Sequence, residues 1–135
     1  MKLSRRKFLT ATGLAVGAAA LPLHVFAQQP TLGKGSLMHI VFYYLKNSDS
    51  EADKQKLIKG LHELVTVKQI KFSHVGVPME FKADDVFKNY HVSLLMVFET
   101  KEGIDEYHKD PIHQKFVSEC KDLWVKTIKY DSLGA

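Results

Sequence analysis

Arginine is almost missing from this chain. Both copies, Arg5 and Arg6, fall within the first ten residues, and none follows. Arginine is the side chain best matched to bidentate phosphate contacts, so its absence argues against a nucleic-acid partner. From Gln28 onward fifteen lysines are balanced by fifteen Asp and Glu, and the formal charge of +4 therefore resides in the N-terminal segment. Cysteine is equally scarce. Cys120 is the only one, which excludes an intramolecular disulfide; on an apolar helical face it reads as a small core residue, with an intermolecular disulfide left open. No apolar run is long enough to span a bilayer, since the longest, Ala11 to Leu23, has about 13 residues against the 20 or so required. There is no glycine-rich phosphate loop and no Ser-His-Asp pattern. No HxH or HxxxH pair advertises a metal, and Asp84-Asp85 reads as a solvated loop pair. Neither a metal nor an organic cofactor is expected.

What the chain does contain begins with a leader. Ser4-Arg5-Arg6-Lys7-Phe8-Leu9 has the twin-arginine pattern, the Ala/Gly-rich stretch to Leu23 is weakly apolar, and Val25-Phe26-Ala27 fits a small-x-small cleavage site. The expectation is a signal peptide over 1–27, a polar linker over 28–35 and one domain over 36–135. It implies export to the periplasm or the exterior by the twin-arginine route, with no membrane anchor after cleavage.

The 36–135 segment alternates strand and helix signals. Leu37 to Lys46 is rich in β-branched and aromatic residues and predicts a first strand, apolar on both faces: His39, Val41, Tyr43 and Leu45 on one, Met38, Ile40, Phe42 and Tyr44 on the other. Ser50 and Asp53 form a capping-box pattern before a helix over 51–64, whose buried stripe is Leu57, Ile58, Leu61 and Leu64. Strands are expected over 69–77 and 90–100. A short helix over 101–108, interrupted by Gly103, precedes a second one opened by Asp110 as N-cap and Pro111 at the first helical position. A last strand covers 125–131. This order predicts an α+β, ferredoxin-like plan: a four-stranded antiparallel sheet with helices on one face. The other sheet face is apolar and needs cover, for which a second copy is the economical solution, two sheets closing into an α/β barrel.

Three segments carry a family likeness: His39-Ile40-Val41-Phe42, Val97-Phe98-Glu99, and Tyr107-His108-Lys109-Asp110-Pro111-Ile112-His113-Gln114-Lys115-Phe116. The region resembles the stress-responsive dimeric α/β barrel family, and this resemblance implies a homodimer. One plant branch of that family is a polyketide cyclase performing an intramolecular aldol condensation without metal or organic cofactor. On the matching segments its catalytic histidine falls on His113, its tyrosine on Tyr107 and a further pocket histidine on His39. Its other strand histidine falls on Val92, whereas the histidine here is His91.

The residues themselves support a related chemistry. A histidine in an apolar cavity serves as general base, and a tyrosine donates to an oxygen on which negative charge develops. The candidate catalytic set is His113, Tyr107 and His39; Tyr43, His74 and Trp124 are the candidate ligand contacts, while His62 and His108 are expected on solvent-facing helix surfaces. Three functions fit: an exported barrel that binds a small apolar or aromatic molecule in the barrel cavity, a cofactor-independent cyclase or monooxygenase-like enzyme using a His/Tyr pair, or a structural or protective oligomer with a filled barrel, packed shut by Phe42, Tyr44, Phe72 and Trp124.

Overall fold

The computed structural model describes residues 32–80 and 87–135; the expected leader lies outside them. The elements run β1 (Leu37–Leu45), α1 (Glu51–Leu64), β2 (Ile70–Gly76), β3 (Val92–Phe98), α2 (Lys101–Lys109), α3 (Pro111–Cys120), a 3₁₀ turn (Lys121–Leu123) and β4 (Trp124–Leu133). The sheet has the order β2-β3-β1-β4 with every neighbour antiparallel. The ferredoxin-like plan expected from the sequence is therefore the one found.

Local chemistry sets the helix bounds. The Ser50 hydroxyl accepts from the Asp53 amide at 3.1 Å and starts α1. Only that half of the capping box forms, because the Asp53 carboxylate instead accepts from Asn47 at 2.7 Å. Asp110 accepts from the Ile112 amide at 2.8 Å with Pro111 next, and this break redirects the chain from α2 into α3. Gly103 does not interrupt α2, which is continuous through it; a Cβ there would meet Phe98 at 3.5 Å, an ordinary van der Waals contact. The stretch before β1 is not a featureless linker either. Gly35, at φ +83°, makes a turn that an L side chain would strain, and its amide bonds to Gly134 while the Gly134 amide returns to Ser36.

One layer of core lies between sheet and helices. Leu57, Leu61 and Leu64 of α1 meet Val92, Leu94, Met96 and Phe98 of β3, and each such side chain stabilises the fold by roughly 1.5–3 kcal/mol on burial. On β1, Leu37, His39, Val41, Tyr43 and Leu45 face this layer. Among the described residues no helix layer covers the opposite sheet face. Phe72 and Tyr130 are exposed there, and Phe42 packs edge-on against Tyr90 and Tyr130, bordering a groove of about 390 Å³. Among the described residues no helix is long and apolar enough to cross a membrane.

Candidate functional site

The helix layer does not seal the sheet completely. Where α2 and α3 meet over β1 and β4 they leave a cavity of about 260 Å³. Its sheet side is built by strand register. His39, Val41 and Tyr43 project from β1, and Lys129 and Thr127, the partners of Val41 and Tyr43, line the cavity from β4, with Asp131 paired to His39 at its edge. Its roof comes from Tyr107 and His108 in the last turn of α2, and from His113, Phe116 and Val117 on α3. The Asp110-Pro111 break packs these residues together: the rings of Tyr107 and His113 are 4.6 Å apart, those of His108 and His113 5.2 Å. Gln114 locks the corner by donating to the His108 carbonyl at 2.6 Å.

Trp124 reaches this face through an irregularity. Pairing between β1 and β4 shifts at Tyr44/Leu45, so that Trp124 lies opposite Leu45 and Val125 is the extra residue of a bulge. Trp124 then stacks on Phe116, with ring centroids 5.9 Å apart, and meets Tyr43 edge-on at 5.1 Å.

The structure thus brings together five of the six candidate residues: His39, Tyr43, Tyr107, His113 and Trp124. It does not bring in His74, which pairs with Leu95 on the opposite, uncovered face and is exposed. Nor do Phe42, Tyr44 and Phe72 fill this cavity; they share that uncovered face, with the whole sheet between them and Trp124. His91 is engaged structurally, its Nδ1 accepting from the Leu45 amide at 3.0 Å. Three site residues were not anticipated: His108, Lys129 and Asp131. His108 is mostly exposed, as its helical position predicts, yet its ring borders the cavity.

The protonation states follow from surroundings. Asp131 contacts His39 at 2.5 Å between Oδ1 and Nδ1, and the His39 side chain is only 8% exposed. A carboxylate only accepts, so Nδ1 of His39 carries a hydrogen toward Asp131, on a ring that lines the cavity. Burial pushes the Tyr107 and Tyr43 hydroxyls well above the usual tyrosine range. Both stay protonated and act as donors, and neither hydrogen-bonds to a described residue. The pKa of His113 is lowered, chiefly by burial and then by His108, with the His108 backbone and Asp110 pulling weakly the other way; its Nδ1 is buried without a hydrogen-bond partner. That of His108 is lowered by desolvation first, then by His39 and Lys129. Both imidazoles are therefore held neutral at neutral pH.

This arrangement has a consequence for stability. A histidine whose folded pKa is depressed takes up its proton more readily in the unfolded chain, so stability is lost as pH falls through about 6.5 and is level above it. Glu51 and Glu63, held below the usual carboxylate range by Gln55 and Lys115, titrate lower and leave that window to the histidines. Melting temperature is expected to stay level above neutrality and to fall between about pH 6.5 and 5, with a shallower fall in His113→Gln; melts followed by circular dichroism check it. An equal slope in the variant would remove His113 as a cause.

Among the described residues no group of three or more His, Cys, Asp or Glu is placed to hold a metal ion. Cys120 is buried, with its thiol pushed up by desolvation, in keeping with a core role.

Comparison with known proteins supplies the wider setting. A dimeric ferredoxin-like protein of unknown function from Thermobifida fusca is 13% identical, covering 78% of this chain and 97% of its own, with a TM-score of 0.64. A Dabb family protein with a ferredoxin-like fold from Mesorhizobium loti is 18% identical, covering 76% and 99%, with a TM-score of 0.62. The hydroxynitrile lyase of Passiflora edulis is 15% identical, covering 76% and 96%, with a TM-score of 0.65. At these identities the likeness is one of fold. A sequence search of curated proteins finds no match. The family model described as the stress responsive A/B barrel domain, Dabb, matches residues 37–133, nearly the whole span from β1 to β4, and the chain belongs to that family.

Proposed function

We propose that this protein is an exported homodimer that binds a small apolar or aromatic molecule in the cavity between β1, β4, α2 and α3. The observation that carries the reading is convergence. Residues from two strands and two helices meet around one space, with aromatic walls and several polar groups whose hydrogen bonding is not used up within the fold. A filled, purely structural barrel fits less well with such a space. Dimerisation is supported by the uncovered apolar sheet face and by relatives of the same fold that are dimeric. Export to the periplasm or the exterior rests on the twin-arginine pattern at Ser4 to Leu9.

Trp124 makes the binding reading directly testable, because it is the only tryptophan and it lines the cavity. Its emission is expected to change saturably when one-ring aromatic compounds, neutral and anionic, are titrated in. Thr127→Phe, which fills the cavity from β4, is expected to abolish the change. A flat response to every compound sinks the reading.

A second reading, cofactor-independent proton transfer, is favoured by the His39–Asp131 contact. Asp131 orients the His39 ring through Nδ1, so that in the neutral imidazole Nε2 is the base, and the protonated Tyr107 supplies a donor for the oxygen that gains charge. His113, held neutral, is a second base of the same kind. That the fold accommodates an enzyme is consistent with the lyase among its structural relatives.

A further inference from the structure

β1 outlasts its neighbour. The ladder with β3 ends at Tyr43 and Val92, while β1 runs on to Leu45. Alternate residues of a strand direct their backbone groups to the same edge, so the Leu45 amide points to a place that β3 no longer fills. His91 fills it. Its backbone amide donates to the Tyr43 carbonyl at 2.9 Å, and its side-chain Nδ1 accepts from the Leu45 amide at 3.0 Å. Leu45 is only 4% exposed, and its amide would otherwise be buried without an acceptor.

The two bonds bracket Tyr44, and this is where the other edge of β1 changes register. Tyr44 pairs with Lys126, Leu45 with Trp124, and Val125 is the surplus residue. Beyond the bulge the Lys46 amide donates to the Leu123 carbonyl at 2.9 Å, so the two chains stay joined. A bulge disrupts the ladder locally and bends the strand that carries it. The opposite strand must then stay extended to receive Trp124, and the residues that do so are the ones His91 holds. Without the bulge, plain alternation from Thr127 puts Val125 on the cavity face and Trp124 on the uncovered one.

We propose that His91 is a positioning residue for the cavity wall: by supplying the acceptor that β3 lacks, it holds β1 extended across the bulge and keeps Trp124 on the cavity side. The contacts that depend on it are the stack of Trp124 on Phe116 at 5.9 Å and its edge-on approach to Tyr43 at 5.1 Å. His91 itself does not line the cavity and acts on it only through Leu45 and the bulge. Any consequence for a ligand rests on the reading of the cavity as a binding site. The placement of Trp124 does not, and it is measured on the protein alone.

Trp124 is the only tryptophan, so its near-ultraviolet circular dichroism and its quenching by acrylamide read its surroundings directly. His91→Phe keeps a flat ring and removes the acceptor; it is expected to lose the tryptophan band and to raise the quenching. His91→Asn offers Oδ1 in place of Nδ1 and is expected to keep both signals as in the wild type. Ser50→Ala, which removes the cap of α1, is the control: it lowers the melting temperature and is expected to move neither signal. Deleting Val125 removes the surplus residue and leaves Trp124 on the cavity side by alternation, so in that background His91→Phe is expected to move neither signal. If His91→Phe keeps the wild-type signals, if His91→Asn loses them, or if Ser50→Ala moves them equally, the assignment is overturned. Should far-ultraviolet circular dichroism show His91→Phe unfolded, the asparagine variant decides: wild-type signals support the assignment and altered ones overturn it. If aromatic compounds fail to bind while His91→Phe still displaces Trp124, the binding reading falls and the positioning role stands.

Discussion

Phe98→Ala is expected to lower the melting temperature by on the order of 20 °C, the largest loss of any single truncation in the core. Phe98 is fully buried at the end of β3, between the Leu37 and Ile70 pairings, and its ring contacts Tyr107 at a centroid distance of 5.4 Å. Truncating a buried Phe costs about 3–5 kcal/mol through lost transfer energy and the cavity left behind. A domain of this size has about 5–15 kcal/mol in total, and each kcal/mol is worth roughly 4–8 °C. The site is affected as well, because Tyr107 loses the ring that backs it. Phe98→Leu keeps most of the volume and is expected to cost under about 1.5 kcal/mol. Circular dichroism melts of both variants decide the matter; a fall below about 5 °C for the alanine variant would show that α2 collapses onto β3 without cost.

Ile40→Glu is expected to convert the proposed homodimer into a monomer at micromolar concentration. Ile40 is on the central strand β1, facing the uncovered side, flanked by Leu95 of β3 and Tyr130 of β4. In a two-fold dimer built on this face each substitution enters the interface twice. An unpaired charge taken out of water costs several kcal/mol per ion, so the dimer weakens by at least about a thousandfold. The monomer itself tolerates the change, since the side chain points away from the core. Sedimentation of wild type and variant gives the answer. A wild-type monomer would overturn the dimer assignment; a variant that stays dimeric would move the interface to another surface.

Much of the fold was legible because it depends on local chemistry. Alternation in β1 assigned each residue to its face, and the structure keeps that assignment. Ser50, the stripe of α1, and Asp110-Pro111 set helix bounds that hold to the residue at three of four ends. Gly103 does not interrupt the helix as its low propensity suggests, because a single glycine costs only about 1 kcal/mol and the surrounding helix continues through it. His74 parts from the other candidates because a mid-strand histidine among apolar neighbours looks the same on either face until its strand is paired. Register with Leu95 then puts it on the uncovered side.

β4 shows the division most clearly. By itself the sequence determines a strand with Ile128 and Tyr130 on one face and Thr127, Lys129 and Asp131 on the other, and that pattern reads as apolar inside, polar outside. The tertiary structure turns it around. The apolar face lies on the side without helices, and the polar face turns toward them where α2 and α3 leave a gap, so Lys129 lines the cavity and Asp131 contacts His39 beside it. The bulge at Val125 then moves Trp124 to the cavity face, against the alternation that follows it. Periodicity fixes which residues share a face, because side-chain direction is a local property of the backbone. Which face meets the helix layer, and where that layer leaves room for a ligand, depends on pairing between segments some ninety residues apart, such as His39 with Asp131.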